Sequence, residues 1–156
     1  MRERPSWDEV WLAVAQDVAE RSLCERDRVG AVIVDHRNRP VAAGHNNPPR
    51  NFDHGNLGCT AWCTRAVDGG GDAEYSTCPS LHAEANALIV GDESARQGGT
   101  IYVTSHICFT CAKLVANSGL ARVVVAPHFP ALHRAPQTGY VLLNRCGVEV
   151  EIKNVL

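Results

Sequence analysis

The chain has 156 residues, 45% hydrophobic, 21% charged and 6% aromatic, with a formal net charge of −2. This composition excludes wholesale disorder, and no run approaches the roughly 18 apolar residues of a membrane span. With two lysines, Lys113 and Lys153, the chain lacks the clustered cations that grip a long nucleic acid, so a small molecule is the expected partner.

Ser6 to about Arg21 is predicted to be an amphipathic helix. Ser6 at the N-cap with Glu9 three residues on makes a capping box, and Trp7, Val10, Trp11, Val14 and Val18 recur at helical spacing to line one face. Arg28 to Asp35 is a predicted strand, and Pro40 to Asn46 follows after a polar turn to complete a hairpin. From Asn47 to Pro79 the pattern gives way to Gly, Pro, Asn and Asp, with at most a short helix near Thr60 to Val67. Predicted elements then alternate: helix from Leu81 to Gly91, strand from Thr100 to Thr104, helix from Phe109 to Ser118, strand from Arg122 to Pro127, helix from Gln137 to Cys146, and strand from Val148 to Ile152. Gly119 and Gly147 sit where helices stop. Strands alternating with helices imply parallel neighbours, hence a three-layer α/β/α sandwich spanning residues 1–156 as one domain.

Seven cysteines and seven histidines are an unusual supply. Asp8 and Glu9 interrupt the place where an export signal would need an apolar core, so a cytoplasmic protein with reduced thiols or metal ligands is expected. Two fragments stand out: His82-Ala83-Glu84 and Cys108-Phe109-Thr110-Cys111, each opening a predicted helix. Cys108 and Cys111, three apart, share a helical face and can grip one ion, with His82 as a third ligand. Three protein ligands leave the fourth tetrahedral position of zinc open, which separates a catalytic site from a structural one. Two thiolates and a neutral imidazole cancel the 2+ charge, so a nearby base must help take a proton from water, and Glu84 is the candidate. His82 and Glu84, two apart, do not share a helix face and can converge only at the very end of a helix.

An H-x-E helix followed by a C-x-x-C helix is the pattern of zinc nucleobase deaminases. The chain resembles the cytidine and deoxycytidylate deaminase superfamily, most closely its deoxycytidylate members. The resemblance lies in Val29-Gly30-Ala31-Val32-Ile33, Gly44-His45-Asn46, His82-Ala83-Glu84-Ala85-Asn86-Ala87, Tyr102-Val103-Thr104, Cys111-Ala112-Lys113-Leu114 and Ser118-Gly119-Leu120, and covers roughly Trp7 to Pro127. It implies a cytidine deaminase-like mixed sheet with an antiparallel first hairpin and parallel later strands. It further implies a homo-oligomer with Zn2+ as cofactor, held by His82, Cys108 and Cys111, and Glu84 as proton carrier. The implied substrate is a dCMP-type cytosine nucleotide converted to dUMP and ammonia, with Asn46 and the Ala83 N–H touching it. The family proline before the first cysteine is Ile107 here, preceded by His106, which alters the pocket rim and makes His106 a further substrate-contact candidate.

Other readings stand beside this one. The same chemistry serves a free base, a nucleoside or another amino-heterocycle of guanine or triazine type. Cys108 and Cys111 would also suit a redox dithiol, and a closed zinc would make a noncatalytic binding module. Cys24, Cys59, Cys63 and Cys78, with His54, form a candidate second, structural zinc site; the alternative is buried thiols, the reading given to Cys146. Arg50, Arg65 and Arg134 are candidate phosphate contacts, His128 and His133 candidate pocket residues, and Phe109 and Phe129 candidate stacking partners for a base.

Overall fold

A computed structural model describes residues 3–24, 26–53, 63, 78–127 and 136–153. Helix α1 (Trp7–Ala19) opens on the expected capping box: Ser6 Oγ accepts the Glu9 N–H at 3.2 Å, and the Glu9 carboxylate accepts the Ser6 N–H at 2.6 Å. A hairpin follows, β1 (Gly30–Val34) and β2 (Pro40–His45). Then come α2 (Ala83–Val90), a short α3 (Glu93–Arg96), β3 (Thr100–Val103), α4 (Phe109–Ala116), β4 (Arg122–Val125), α5 (Pro136–Arg145) and β5 (Glu149–Ile152). The four-residue α3, capped by Asp92, has too little sequence to show a period and is absent from the reading above. Gly119 and Gly147 do close their helices, at φ +83° and +78°.

The strands form one sheet in the order β2-β1-β3-β4-β5. β1 runs antiparallel to both β2 and β3, whereas β3, β4 and β5 are mutually parallel, matching the mixed sheet expected. Alternation along the strands sends Val32, Val34, Tyr102 and Val124 to the α1 side. The opposite side takes Ala31, Ile33, Ile101, Val103, Val123 and Val125, packed against Ala83 and Ala87 of α2, Cys111, Ala112 and Val115 of α4, and Leu143 of α5. Helices therefore cover both faces of the sheet.

Of the expected α1 face, Trp11, Val14 and Val18 do pack against the sheet, partly buried, whereas Trp7 stays outside the core. The fully buried line of the helix is Ala15 and Ala19, while Trp7 is 51% exposed and stacks on Trp11. The cause is close approach: a Cβ on Gly30 would fall 1.9 Å from the Ala15 carbonyl oxygen, so the helix meets β1 through its smallest residues. Gly44 repeats this on the other face, where a Cβ would lie 2.4 Å from the Ala83 oxygen and 2.4 Å from the Ala87 nitrogen. Cys146 is also corrected: it lies just past α5 and is exposed, because the helix turns Leu143 and not Cys146 into the core.

Asp8 ties α1 to the far edge of the sheet. Arg122 donates to both its oxygens, at 2.8 and 2.9 Å, Tyr102 donates to it at 2.9 Å, and Lys153 lies 3.2 Å away. The Arg122 guanidinium, followed by Tyr102 and Lys153, holds the Asp8 carboxyl well below the usual carboxylate range against the opposing effect of burial. A carboxyl depressed in the folded state stabilises the fold above its unfolded value of about 3.9, and that contribution is lost as pH falls further. Asp8→Asn is therefore expected to lower the urea midpoint at pH 6 but to narrow its fall between pH 5 and pH 3. An unchanged acid limb would show that Asp8 does not carry it.

Candidate metal centre and active site

The site is assembled at two helix N-termini on the side of the sheet covered by α2 and α4. His82 is the N-cap of α2 with extended dihedrals (φ −71°, ψ 154°), and Glu84 follows within the first turn. That answers the objection that residues two apart diverge: His82 stands outside the helix, so it and Glu84 need not obey helical spacing. The position of His82 is fixed from both sides. Asn47 and Leu81 exchange backbone hydrogen bonds of 3.1 and 3.0 Å just before it. Asn86, one turn on, donates its side-chain amide to the His45 carbonyl at 2.8 Å, locking α2 to the end of β2.

Cys108 is the N-cap of α4, its Sγ accepting the Cys111 N–H at 3.4 Å. His82 Nδ1 faces both sulfurs, 3.3 Å from Cys108 and 3.4 Å from Cys111. Zinc bonds of about 2.3 Å to sulfur and 2.0–2.1 Å to nitrogen in a tetrahedron put ligand sulfur and nitrogen roughly 3.6 Å apart, so the trio is spaced for this ion within a few tenths of an ångström. Electrostatics agree. The Cys111 side chain is the main influence drawing the Cys108 thiol down, with His82 adding to it. Cys108 is correspondingly the main influence pushing Cys111 up, helped by burial and the Glu84 charge. Two thiolates this close repel, and a dication is what allows both to ionise. Among the described residues, this trio is the one convergent group of three or more metal-ligating side chains.

Glu84 is 3% exposed, and its charge adds to the influences that raise the Cys111 thiol. A carboxylate held this deep is strongly unfavourable unless positive charge or hydrogen bonds compensate it. Ala83 is fully buried in the first turn of α2. Asn46 serves a local purpose: its Oδ1 accepts the Val29 N–H at 2.8 Å and its Nδ2 donates to the Asp27 carbonyl at 2.7 Å, bracing the entry to β1. Ser22 Oγ donates to the Asn46 carbonyl at 2.7 Å from behind. His106 Nδ1 lies 2.7 Å from Tyr140 Oη. Burial, reinforced by the Glu84 charge, raises the Tyr140 hydroxyl to about 12.

Sequence reasoning assigned no role to Asn86 and missed Tyr140. Asn86 was within the quoted motif, but nothing local announces a bond to a strand 41 residues earlier. Tyr140 sits in a helix whose polar first turn carries no chemical signature. Cys24, Cys63 and Cys78 do not converge as a ligand trio, and Cys59 and His54 lie outside the described residues. Arg65, Arg134, His128, His133 and Phe129 also lie outside them. Arg50 is exposed, and Phe109, 47% exposed, has the Lys113 ammonium 5.7 Å from its ring centre.

The family model described as the cytidine and deoxycytidylate deaminase zinc-binding region matches residues 5–127. The chain belongs to that family. A deoxycytidylate deaminase of Mycobacterium phage D29 is 43% identical over 127 residues, which cover 78% of this chain and 94% of the relative. The deoxycytidylate deaminase of Saccharomyces cerevisiae is 34% identical over 94% of this chain, which spans 45% of that longer relative. Among solved structures, the dCMP deaminase of cyanophage S-TIM5 in complex with dCMP and dUMP superposes with a TM-score of 0.72 at 26% identity, covering 97% of this chain and all of that one. Membership makes the chain a zinc-dependent deaminase, and the His82, Cys108 and Cys111 trio suits the cofactor. No helix among the described residues is long and apolar enough to cross a membrane.

Proposed function

We propose that the protein is a zinc-dependent deoxycytidylate deaminase, converting dCMP and water to dUMP and ammonia, with residues 1–156 as one catalytic domain. The observation that carries the reading is the buried Glu84 carboxylate beside three zinc-spaced ligands, His82, Cys108 and Cys111. The phage relatives named for this reaction, matched over nearly their whole length, support dCMP over a free base or another amino-heterocycle. When bound, the zinc supplies a Lewis acid that brings the pKa of water toward neutrality. Glu84 takes a proton from the attacking water and hands it to the ring nitrogen of cytosine. The oxygen adds to the amine-bearing carbon; Glu84 then carries the remaining hydroxyl proton to the amine, the C–N bond breaks as the carbonyl forms, and ammonia leaves. Ala83, at the helix N-terminus, offers its backbone N–H to the base edge. Asn46 has one amide hydrogen and one carbonyl lone pair beyond its loop bonds for the sugar.

The test is ammonia release from dCMP, deoxycytidine, cytosine, dCTP, guanine and adenine compounds. Preference for dCMP by orders of magnitude in kcat/KM is expected; exclusive action on an unphosphorylated base rejects the reading. We also infer a homo-oligomer, since Ile89 and Val90 on α2, Phe109 and Leu114 on α4 and Val141 on α5 leave large apolar side chains exposed on the helical layer that carries the site. A monomer by sedimentation at micromolar concentration would reject that. A cytoplasmic setting fits the reading, because thiolate ligands stay reduced there.

A further inference from the structure

We propose that Arg96 is a positioning residue for the metal centre: its guanidinium clasps the C-terminal ends of α2 and α4 together and so sets the spacing of the zinc ligands carried at their N-terminal ends. The inference rests on the zinc-dependent reading of the His82, Cys108 and Cys111 trio and is independent of which base is deaminated. Helices α2 and α4 have eight residues each, making short rods of about 12 Å. α2 leads through α3 to β3, α4 leads to β4, and these two strands are parallel. The helices therefore run side by side in one direction on the same face of the sheet. Their heads meet at the trio, where His82 Nδ1 lies 3.3 and 3.4 Å from the two sulfurs. Their tails meet at Arg96.

Arg96 Nη1 donates to the Leu88 carbonyl at 3.1 Å and to the Gly91 carbonyl at 2.8 Å, both at the end of α2. Its Nε donates to the Ser118 carbonyl at 3.0 Å, just past the end of α4. The final carbonyls of a helix have no partner within it, and a cation there also meets the negative end of the helix dipole. One planar guanidinium serves both tails at once, through donors fixed in a fork that a lysine ammonium lacks. The clasp is itself anchored. Asp92 Oδ1 accepts the Ala95 N–H at 2.9 Å to cap α3, and the Gly99 N–H donates to the Arg96 carbonyl at 2.9 Å. The Gly98 N–H donates to the Gly119 carbonyl at 2.8 Å, repeating through backbone the bridge to the tail of α4. A shift of either helix along its axis breaks the clasp and carries one ligand away from the others. A functional site tolerates only about 0.5 Å of such misplacement. An arginine that only capped α2 would leave α4 free; the bond to Ser118 is what couples the two.

The test is zinc affinity, read by competition with a chelator, beside the visible absorption of the cobalt-loaded protein, whose intensity reports tetrahedral geometry. Arg96→Gln is expected to weaken zinc binding about 10-fold, the lower end of the loss that follows removal of groups orienting metal ligands, and to reduce the cobalt absorption. Arg96→Lys keeps a charge near the helix ends but cannot bond both tails, so a loss of about 5-fold is expected. The lysine variant decides the matter if the glutamine variant does not fold. Asp8→Asn is the control for stability: it is expected to lower the urea midpoint while its zinc affinity and cobalt spectrum stay those of the parent. Zinc affinity equal to the parent's in either Arg96 variant overturns the proposal. So does an equal loss of affinity in Asp8→Asn, which would make the effect one of global stability linked to metal binding. A parent protein that binds no zinc rejects the metal centre and this inference together. A parent that binds zinc but releases no ammonia from dCMP rejects the substrate reading alone, and the zinc affinities still decide the role of Arg96.

Discussion

Glu84→Gln is expected to lower ammonia release from dCMP by roughly 10²–10⁴-fold while leaving the fold and the zinc content unchanged. Glutamine keeps the shape and hydrogen-bonding reach of the side chain but cannot accept a proton from water or return one to the leaving amine. Burial makes the comparison clean, since Glu84 is 3% exposed and bulk buffer has little access to substitute for it. Because the carboxylate helps hold the Cys111 thiol up, its neutral replacement should not weaken the thiolate pair. Stopped-time ammonia assays beside metal analysis provide the measurement. Activity within a few-fold of the parent would remove Glu84 from the proton pathway.

Cys108→Ser is expected to lose zinc affinity by more than about 100-fold and activity with it, while the far-ultraviolet circular dichroism stays that of the parent. The two roles of Cys108 separate in this variant. As the N-cap of α4 its sulfur accepts the Cys111 N–H, and a serine hydroxyl is at least as good a cap. As a metal ligand the hydroxyl is poor, because it stays protonated where a thiol becomes thiolate. Helix α4 therefore survives through its cap and through Ala112 and Val115 in the core. Full zinc occupancy in the variant would show that Cys108 is not a ligand.

The parts of the molecule that were legible in the chain are those governed by local rules. The Ser6–Glu9 capping box, the glycine stops at 119 and 147, and the strand–helix alternation after Leu81 follow from spacing alone, and they appear as expected. The metal trio was legible because its residue types are rare and each sits at a helix start. What stayed hidden depends on contacts between distant segments. The apolar stripe of α1 put Trp7 on one face with Trp11, Val14 and Val18, which do pack on the sheet, but it gave no sign that Gly30 would draw the helix down onto Ala15 and Ala19 and leave Trp7 half exposed. Asn46, read by resemblance as a substrate contact, has half of its amide engaged in bracing residues 27–29. Tyr140 reaches His106 across 34 positions of sequence, and no pattern of one helix predicts which neighbour its hydroxyl will find.

The missing side chain at Gly44 gives the hairpin a role in tolerance to change. There β2 lies against the first two turns of α2, with no gap for even a methyl group between strand and helix. Any bulk added at that point would be taken up by lifting α2 off the sheet, and the imidazole at its tip would travel with it. The thickness of one strand thus acts as a shim that sets the height of one ligand above the other two. Damage at residue 44 should therefore surface first as altered metal selectivity, before the protein loses its solubility or its shape.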